Sequence, residues 1–266
     1  KTELSFTTML ADEYPRIAEQ APLSQLRYSG PTFKKIVEST AFCAATSDSR
    51  PVLTGVNFTM EGKQQHFVCT DSHRLGKINV VTSDCLEEDT TVKSTIPAHA
   101  LIHAVKTFDL TLDVFLVSFK GMVAFANGNV IYYSRLIEGN YPDTDRLIPI
   151  ENSTEIVVNK HELHDVVTLL REASQDSIVK LTITNEVFQI AAKNELAKGS
   201  AEIAIGEKIG EDLTIAFSSK YLLEAINSFT SDTLQLSFSG AMRPFIIRST
   251  DENDTSLQMI LPVRTY

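Results

Sequence analysis

The densest run of reactive side chains is Thr70-Asp71-Ser72-His73-Arg74-Leu75, which sets an acid, a hydroxyl and an imidazole side by side. A nucleophilic triad needs those groups to converge, with the base on the nucleophile and the acid behind the base. Neighbours on an extended chain point to opposite faces, so the run reads first as a strand end or turn with local hydrogen bonds. A hydrolase using Asp71 and His73 stays open as an alternative. His161-Glu162-Leu163-His164 has the composition of a zinc site, but its histidines stand at i and i+3 without a third ligand. Metalloprotease histidines stand at i and i+4 on one helix face, so this segment reads as the start of a surface helix and no metal is expected. Gly206-Glu-Lys-Ile-Gly210 matches neither nucleotide-binding glycine pattern, and no cofactor is expected. Cys43, Cys69 and Cys85 form no Cys-x-x-Cys pair, which argues for reduced thiols and against a disulfide framework.

Four stretches carry apolar residues at helical spacing. They are Pro31 to Ala45, with Phe33, Ile36 and Val37 on one face; Pro97 to Phe108, with Leu101, Ile102 and Val105; Asn159 to Gln175, with Leu163, Val166, Val167 and Leu170; and Phe217 to Phe229, with Leu222, Ala225 and Ile226. Asn159, with Glu162 three residues on, has the pattern of a capped start, and Ser218 or Ser219 would cap the last helix. Lys34, Lys35, Lys106, Lys160, Arg171 and Lys220 ride on these helices and are candidate phosphate contacts, although basic residues on a helix face are ordinarily just solvated. The chain carries a net charge of −10, and the helical windows are close to neutral, so the acidity lies elsewhere.

Between the helices the sequence reads as strand. Lys120-Gly121, Asn127-Gly128, Asn185-Glu186 and Ser239-Gly240 mark hairpin turns between β-rich runs, which predicts antiparallel meanders and an α+β fold. The order of elements repeats: Glu13-Tyr14-Pro15 before the first helix matches Asn140-Tyr141-Pro142 before the third, at an offset of about 127 residues. Two modules of two helices on antiparallel sheet follow, at 23–149 and 150–266, and residues 1–22 read as the tail of an earlier module absent from this chain. With 266 residues, 43% of them apolar, and no apolar run near the roughly 20 residues of a membrane span, a folded protein is expected. Lys1 in place of Met suggests processing or truncation, and without a secretory signal a cytoplasmic location is expected.

Phe67-Val-Cys-Thr-Asp-Ser-His-Arg-Leu75, Arg135-Leu-Ile-Glu-Gly-Asn-Tyr-Pro-Asp143, Arg146-Leu-Ile-Pro149 and Leu257-Gln-Met-Ile-Leu-Pro-Val-Arg264 together resemble the bacterial DNA polymerase III beta subunits, the replicative sliding clamps. The resemblance runs through the whole chain. It implies a DNA clamp fold: three-module protomers in a homodimeric ring, with helices around double-stranded DNA, no sequence readout and no catalysis. Weak phosphate contacts from the six basic residues would let such a ring slide, while an acidic exterior repels other DNA. It further implies a groove that takes short Gln-Leu-x-Leu-Phe-like motifs from the polymerase III alpha subunit, the clamp loader and repair polymerases, and a cytoplasmic, nucleoid-associated location with no membrane partner.

Matched motif by motif, that groove would draw Leu53, Thr70, Ser72, His73, Arg74 and Leu75 from the first module. Pro142, Arg146 and Leu147 would come from the linker, and Ser218, Tyr221, Met242, Pro244, Met259, Leu261, Pro262, Val263 and Arg264 from the second module. For the apolar members, interdomain core is the competing reading. Lacking most of a first module, the chain is expected to close a ring poorly while keeping its groove, whose edge Thr265-Tyr266 would reshape. A repeat-built interaction scaffold without a DNA role remains a second alternative.

Overall fold

The computed structural model describes residues 2–10, 21–81, 91–174, 177–185 and 187–264. The first Tyr-Pro linker, Cys85, Gln175, Glu186 and Thr265-Tyr266 lie outside the described residues. In the first module, β1 (Ser24–Tyr28) leads into α1 (Gly30–Thr40), followed by β2 (Gly55–Glu61), β3 (Gln64–Thr70), β4 (Arg74–Val81) and β5 (Thr91–Pro97). Helix α2 (Ala98–Thr107) and the meander β6 (Val114–Phe119), β7 (Met122–Asn127) and β8 (Val130–Arg135) complete it. The second module repeats the order: β9 (Thr154–Asn159), α3 (Lys160–Glu172), β10 (Ile178–Ile183), β11 (Phe188–Lys193) and β12 (Lys198–Ile203), then β13 (Ile205–Gly210) and β14 (Leu213–Ser218). It ends with α4 (Ser219–Asn227), β15 (Thr233–Phe238), β16 (Phe245–Ser249) and β17 (Leu257–Ile260). The α+β reading therefore holds, and β13, which pairs with β9, has no counterpart among the described residues of the first module.

Local chemistry sets the helix starts. Ser29 Oγ accepts from the Thr32 amide at 3.2 Å, Asn159 Oδ1 from the Glu162 amide at 3.0 Å, and Ser218 Oγ from the Tyr221 amide at 3.4 Å, each satisfying an orphan donor of the first turn. The hairpin expected at Asn127-Gly128 turns one residue later. Asn127 is still in β7, because its buried amide accepts from Asp109 N at 2.9 Å and donates to the Asp109 and Asp113 carbonyls at 3.1 Å; Gly128, at φ 55°, then takes the left-handed position.

Each module closes its own core. Phe33, Phe58, Phe67 and Phe125 fill the first, and Phe188, Phe217, Phe229, Phe238 and Phe245 the second, all at most 2% exposed. Full burial of one such side chain stabilises by roughly 1.5–3 kcal/mol.

The modules join edge to edge. Strand β17 pairs antiparallel with β4, placing Met259 opposite Leu75 and Leu257 opposite Lys77, so nine strands run continuously in the order β13-β9-β15-β16-β17-β4-β3-β2-β5. Alternation along these strands divides the joint into two faces. On one face Gln258 reaches across to donate to the Ser39 carbonyl of α1 at 2.8 Å, beneath Gly76. On the other, Leu75, Met259 and Ile246 line up across β4, β17 and β16 as an apolar row.

Candidate partner-binding groove and helix face

The Asp71–Arg74 turn is built by its own carboxylate. Asp71 Oδ1 accepts from the His73 and Arg74 amides at 2.9 and 3.0 Å, and its Oδ2 from Arg74 Nε at 3.0 Å. Ser72 is held at φ 77°, a conformation uncommon outside glycine. The carboxylate is thus spent on backbone and guanidinium, with no bond to the His73 ring, and the hydrolase alternative loses its acid–base pair. The His161 and His164 rings meet Asp232 and Asp165 separately, and no cluster that could hold a metal occurs among the described residues.

Arg74 reaches from the first module into the second. Its guanidinium pairs with Glu224 of α4, donates to the Phe42 carbonyl at 2.6 Å and lies over the Tyr221 ring at 4.4 Å. A cation kept 7% exposed needs such a complete set of partners. Beside it opens a cavity of about 470 Å³ at the module boundary, lined by Leu53, Ser72, His73, Arg74 and Tyr221 of the expected set. Arg50, Asp71, Lys220 and the Ala44–Ser49 loop also line it and were not foreseen as groove residues.

An apolar strip lies on the outer face of the joint. Leu75 and Met259 are buried with Val68, Ile246 and Leu257, and Leu261 and Ile148 pack against them. The terminal segment is pinned across both modules: the Leu261 amide donates to the His73 carbonyl at 2.9 Å and the Val263 amide to Ala216 at 2.8 Å, leaving Pro262 and Val263 half-buried and Arg264 exposed. Thr70 is buried beneath, its amide donating to the Tyr141 hydroxyl at 3.0 Å and its own hydroxyl to the Arg74 carbonyl at 2.6 Å. Burial, first, pushes the Tyr141 hydroxyl well above its usual range, so it stays neutral here.

The remaining expected groove residues are more scattered. Leu147 is 51% exposed, and Pro142 and Arg146 are exposed on the linker, with Arg146 Nε on Asp143 at 2.9 Å. Ser218 is occupied as the α4 cap. Met242 and Pro244 sit in the β15–β16 connection, outside both the cavity lining and the apolar strip. Val68, Ile246 and Leu257 were missed, although period-two spacing from Met259 along β17 points to Leu257.

The basic helix residues separate into two groups. Lys34, Lys106 and Arg171 are exposed. Lys35 instead donates to Asp254 Oδ2 at 2.8 Å and to the Ser228 carbonyl at 3.1 Å, Lys160 donates to the Phe229 carbonyl at 2.8 Å, and Lys220 faces the cavity beside His73. Lys35 is therefore a strut between modules and Lys220 part of the cavity wall. Both positions follow packing at the joint, which helical spacing alone does not encode.

The family model for the central domain of the DNA polymerase III beta subunit matches residues 28–143, and that for its C-terminal domain matches 145–264. The beta sliding clamps of Streptococcus pneumoniae and Bacillus subtilis are 37% and 36% identical to the chain, covering all of it and 71% of their own length. The crystal structure of the Bacillus subtilis clamp superposes with a TM-score of 0.91 at 35% identity, over 97% of this chain and 69% of that one. A Pseudomonas aeruginosa clamp, at 20% identity, shares the fold with a TM-score of 0.90. Matches that span both modules, together with an edge-to-edge sheet joint of the same fold, place this chain in the family of DNA polymerase III beta subunits, the bacterial sliding clamps.

Proposed function

We propose that the chain works as a non-catalytic processivity subunit, forming part of a ring around double-stranded DNA and tethering partners through the cavity and apolar strip at its module joint. The observation that carries this reading is the joint itself. Leu75 from one module and Met259 and Leu261 from the other form an apolar row on the outer face of the joined sheet, and Arg74 and Tyr221, again one from each module, line the cavity at the same boundary. Pre-formed apolar clefts with a few fixed polar groups suit short linear motifs, here those of the polymerase III alpha subunit, the clamp loader and repair polymerases.

The module boundaries are proposed at residues 23–149 and 150–266. In the repeat, β12 occupies the place of β4 and β8 that of β17, so the pairing that joins the modules supplies a pattern for further joints at the β12 and β8 edges, which pair with no further strand among the described residues. A full-length homodimeric ring would use such edges. No helix among the described residues is long and apolar enough to cross a membrane, and the proposed setting is the nucleoid within the cytoplasm.

The test is titration with a fluorescent Gln-Leu-Ser-Leu-Phe peptide, alongside a His73→Ala/Arg74→Ala/Met259→Ala variant checked for its thermal transition. Saturable binding lost in a folded variant supports the groove; no binding to the folded parent chain overturns it.

A further inference from the structure

The outward face of the joint does not end at the apolar row. Two residues further along the strands, about 7 Å away, the next row places Lys77 of β4, Leu257 of β17 and Arg248 of β16 side by side. A depression of about 340 Å³ opens over this row, bounded by the linker residues Ile148 and Ile150, and Ile150 is 96% exposed. Leu257 therefore belongs at once to the apolar strip and to a pair of cations.

The charges there are incompletely matched. Lys77 Nζ meets Asp145 Oδ1 at 2.5 Å, but that aspartate side chain is 74% exposed, so its pairing is the kind that solvent screens and a ligand can exchange. Arg248 is half-buried and faces Glu155 only diagonally. Glu155 already accepts from Asn152 at 2.9 Å, Gln235 at 3.2 Å and Ser237 at 3.4 Å. Burial lowers the Arg248 pKa, and Glu155 opposes that shift. Lys77 and Arg248 thus line one depression, with the exposed Asp145 as its one carboxylate among the lining residues.

We propose that the Lys77–Leu257–Arg248 row is a second subsite, which takes the carboxylate of an Asp or Glu flanking the apolar motif of a partner peptide. The inference rests on the groove reading and deepens it: the apolar row seats the motif, and the adjoining cations select partners whose motif has an acidic neighbour. Arg248 presents a planar donor fork suited to a carboxylate, and Lys77 adds a point charge from the far side of Leu257.

Four fluorescent peptides test this, each containing Gln-Leu-Ser-Leu-Phe, with Glu-Glu or its isostere Gln-Gln placed before or after the motif. At low ionic strength one Glu-bearing peptide should bind about three- to tenfold tighter than its Gln twin, and added salt should erase the difference. Arg248→Gln/Lys77→Met should abolish that gain while leaving the Gln-bearing peptides at parental affinity. Equal affinity within both pairs, or a gain that survives in the double variant, overturns the subsite and leaves the groove standing. Failure of the Gln-bearing peptides to bind the parent chain overturns the groove and the subsite together.

Discussion

Arg74 lies with its guanidinium carbon 4.4 Å from the centre of the Tyr221 ring, the two residues coming from different modules. The same guanidinium pairs with Asp71 on its own turn and with Glu224 one helical turn beyond Tyr221. One side chain thus shapes the Asp71–Arg74 turn, floors the cavity and ties α4 to β4.

Arg74→Ala should accordingly destabilise the chain by about 2–4 kcal/mol, because it leaves Asp71 and Glu224 facing each other without their shared cation. Glu224→Gln should cost less, about 1 kcal/mol, since the Glu224 side chain is 36% exposed and water can replace part of the lost pairing. Urea unfolding of both variants checks the order; an Arg74→Ala midpoint equal to that of the parent would show that the bridge contributes nothing.

Gly76 is needed for close approach. A Cβ there would lie 2.4 Å from the Ser39 carbonyl oxygen and 2.9 Å from Gln258 Oε1, so any side chain must displace α1 or break the amide that spans the joint. Gly76→Val should destabilise by about 2–4 kcal/mol and weaken motif binding, whereas Gly62→Asn, at φ 58° with no atom within 4 Å, should be nearly neutral. Equal thermal transitions for the two variants would contradict the packing argument.

How much of this was legible follows from which interactions are local. The caps at Asn159 and Ser218 depend on residues three positions apart, and the sequence carries them in full. The apolar members Leu75, Met259 and Leu261 were reached through resemblance, but their meeting on one face required the β4–β17 register, which no local pattern encodes. Helical spacing likewise placed Lys35 beside Lys34 as an equivalent surface cation. Only the tertiary structure brings Asp254, more than two hundred residues away, onto one of them. Arg248 and Lys77, on different strands and without a motif, were invisible for the same reason.

The buried thiols predict an alkaline weakness. Burial pushes Cys69 up to about 12 and raises Cys43 as well, so the folded chain holds both protons while an unfolded chain releases them from about pH 8.5 upward. The unfolded state then binds fewer protons, and stability falls as pH rises, by up to about 1.4 kcal/mol per pH unit for each thiol. Cys43→Ser/Cys69→Ser should flatten the fall in urea midpoint between pH 8.5 and 10; an unchanged slope would assign it to other groups. Neither thiol should react with iodoacetamide in the folded chain at pH 8, as both are buried and protonated.

Lys34 and Lys35 are neighbours in sequence and should behave as opposites. The Lys34 side chain is 50% exposed, with only a 3.7 Å contact to Glu38, so Lys34→Ala should change stability by less than about 0.5 kcal/mol. If it contributes one phosphate contact in an assembled ring, the same substitution lowers the salt slope of DNA association by about 0.9. Lys35 is 22% exposed and its partner Asp254 only 8%, so Lys35→Ala strands a buried carboxylate and should cost about 1–3 kcal/mol while leaving the salt slope unchanged. Urea unfolding paired with DNA association across a salt series separates the two roles. A Lys35→Ala chain of parental stability with a reduced slope would return that residue to the DNA face and remove the strut from the joint.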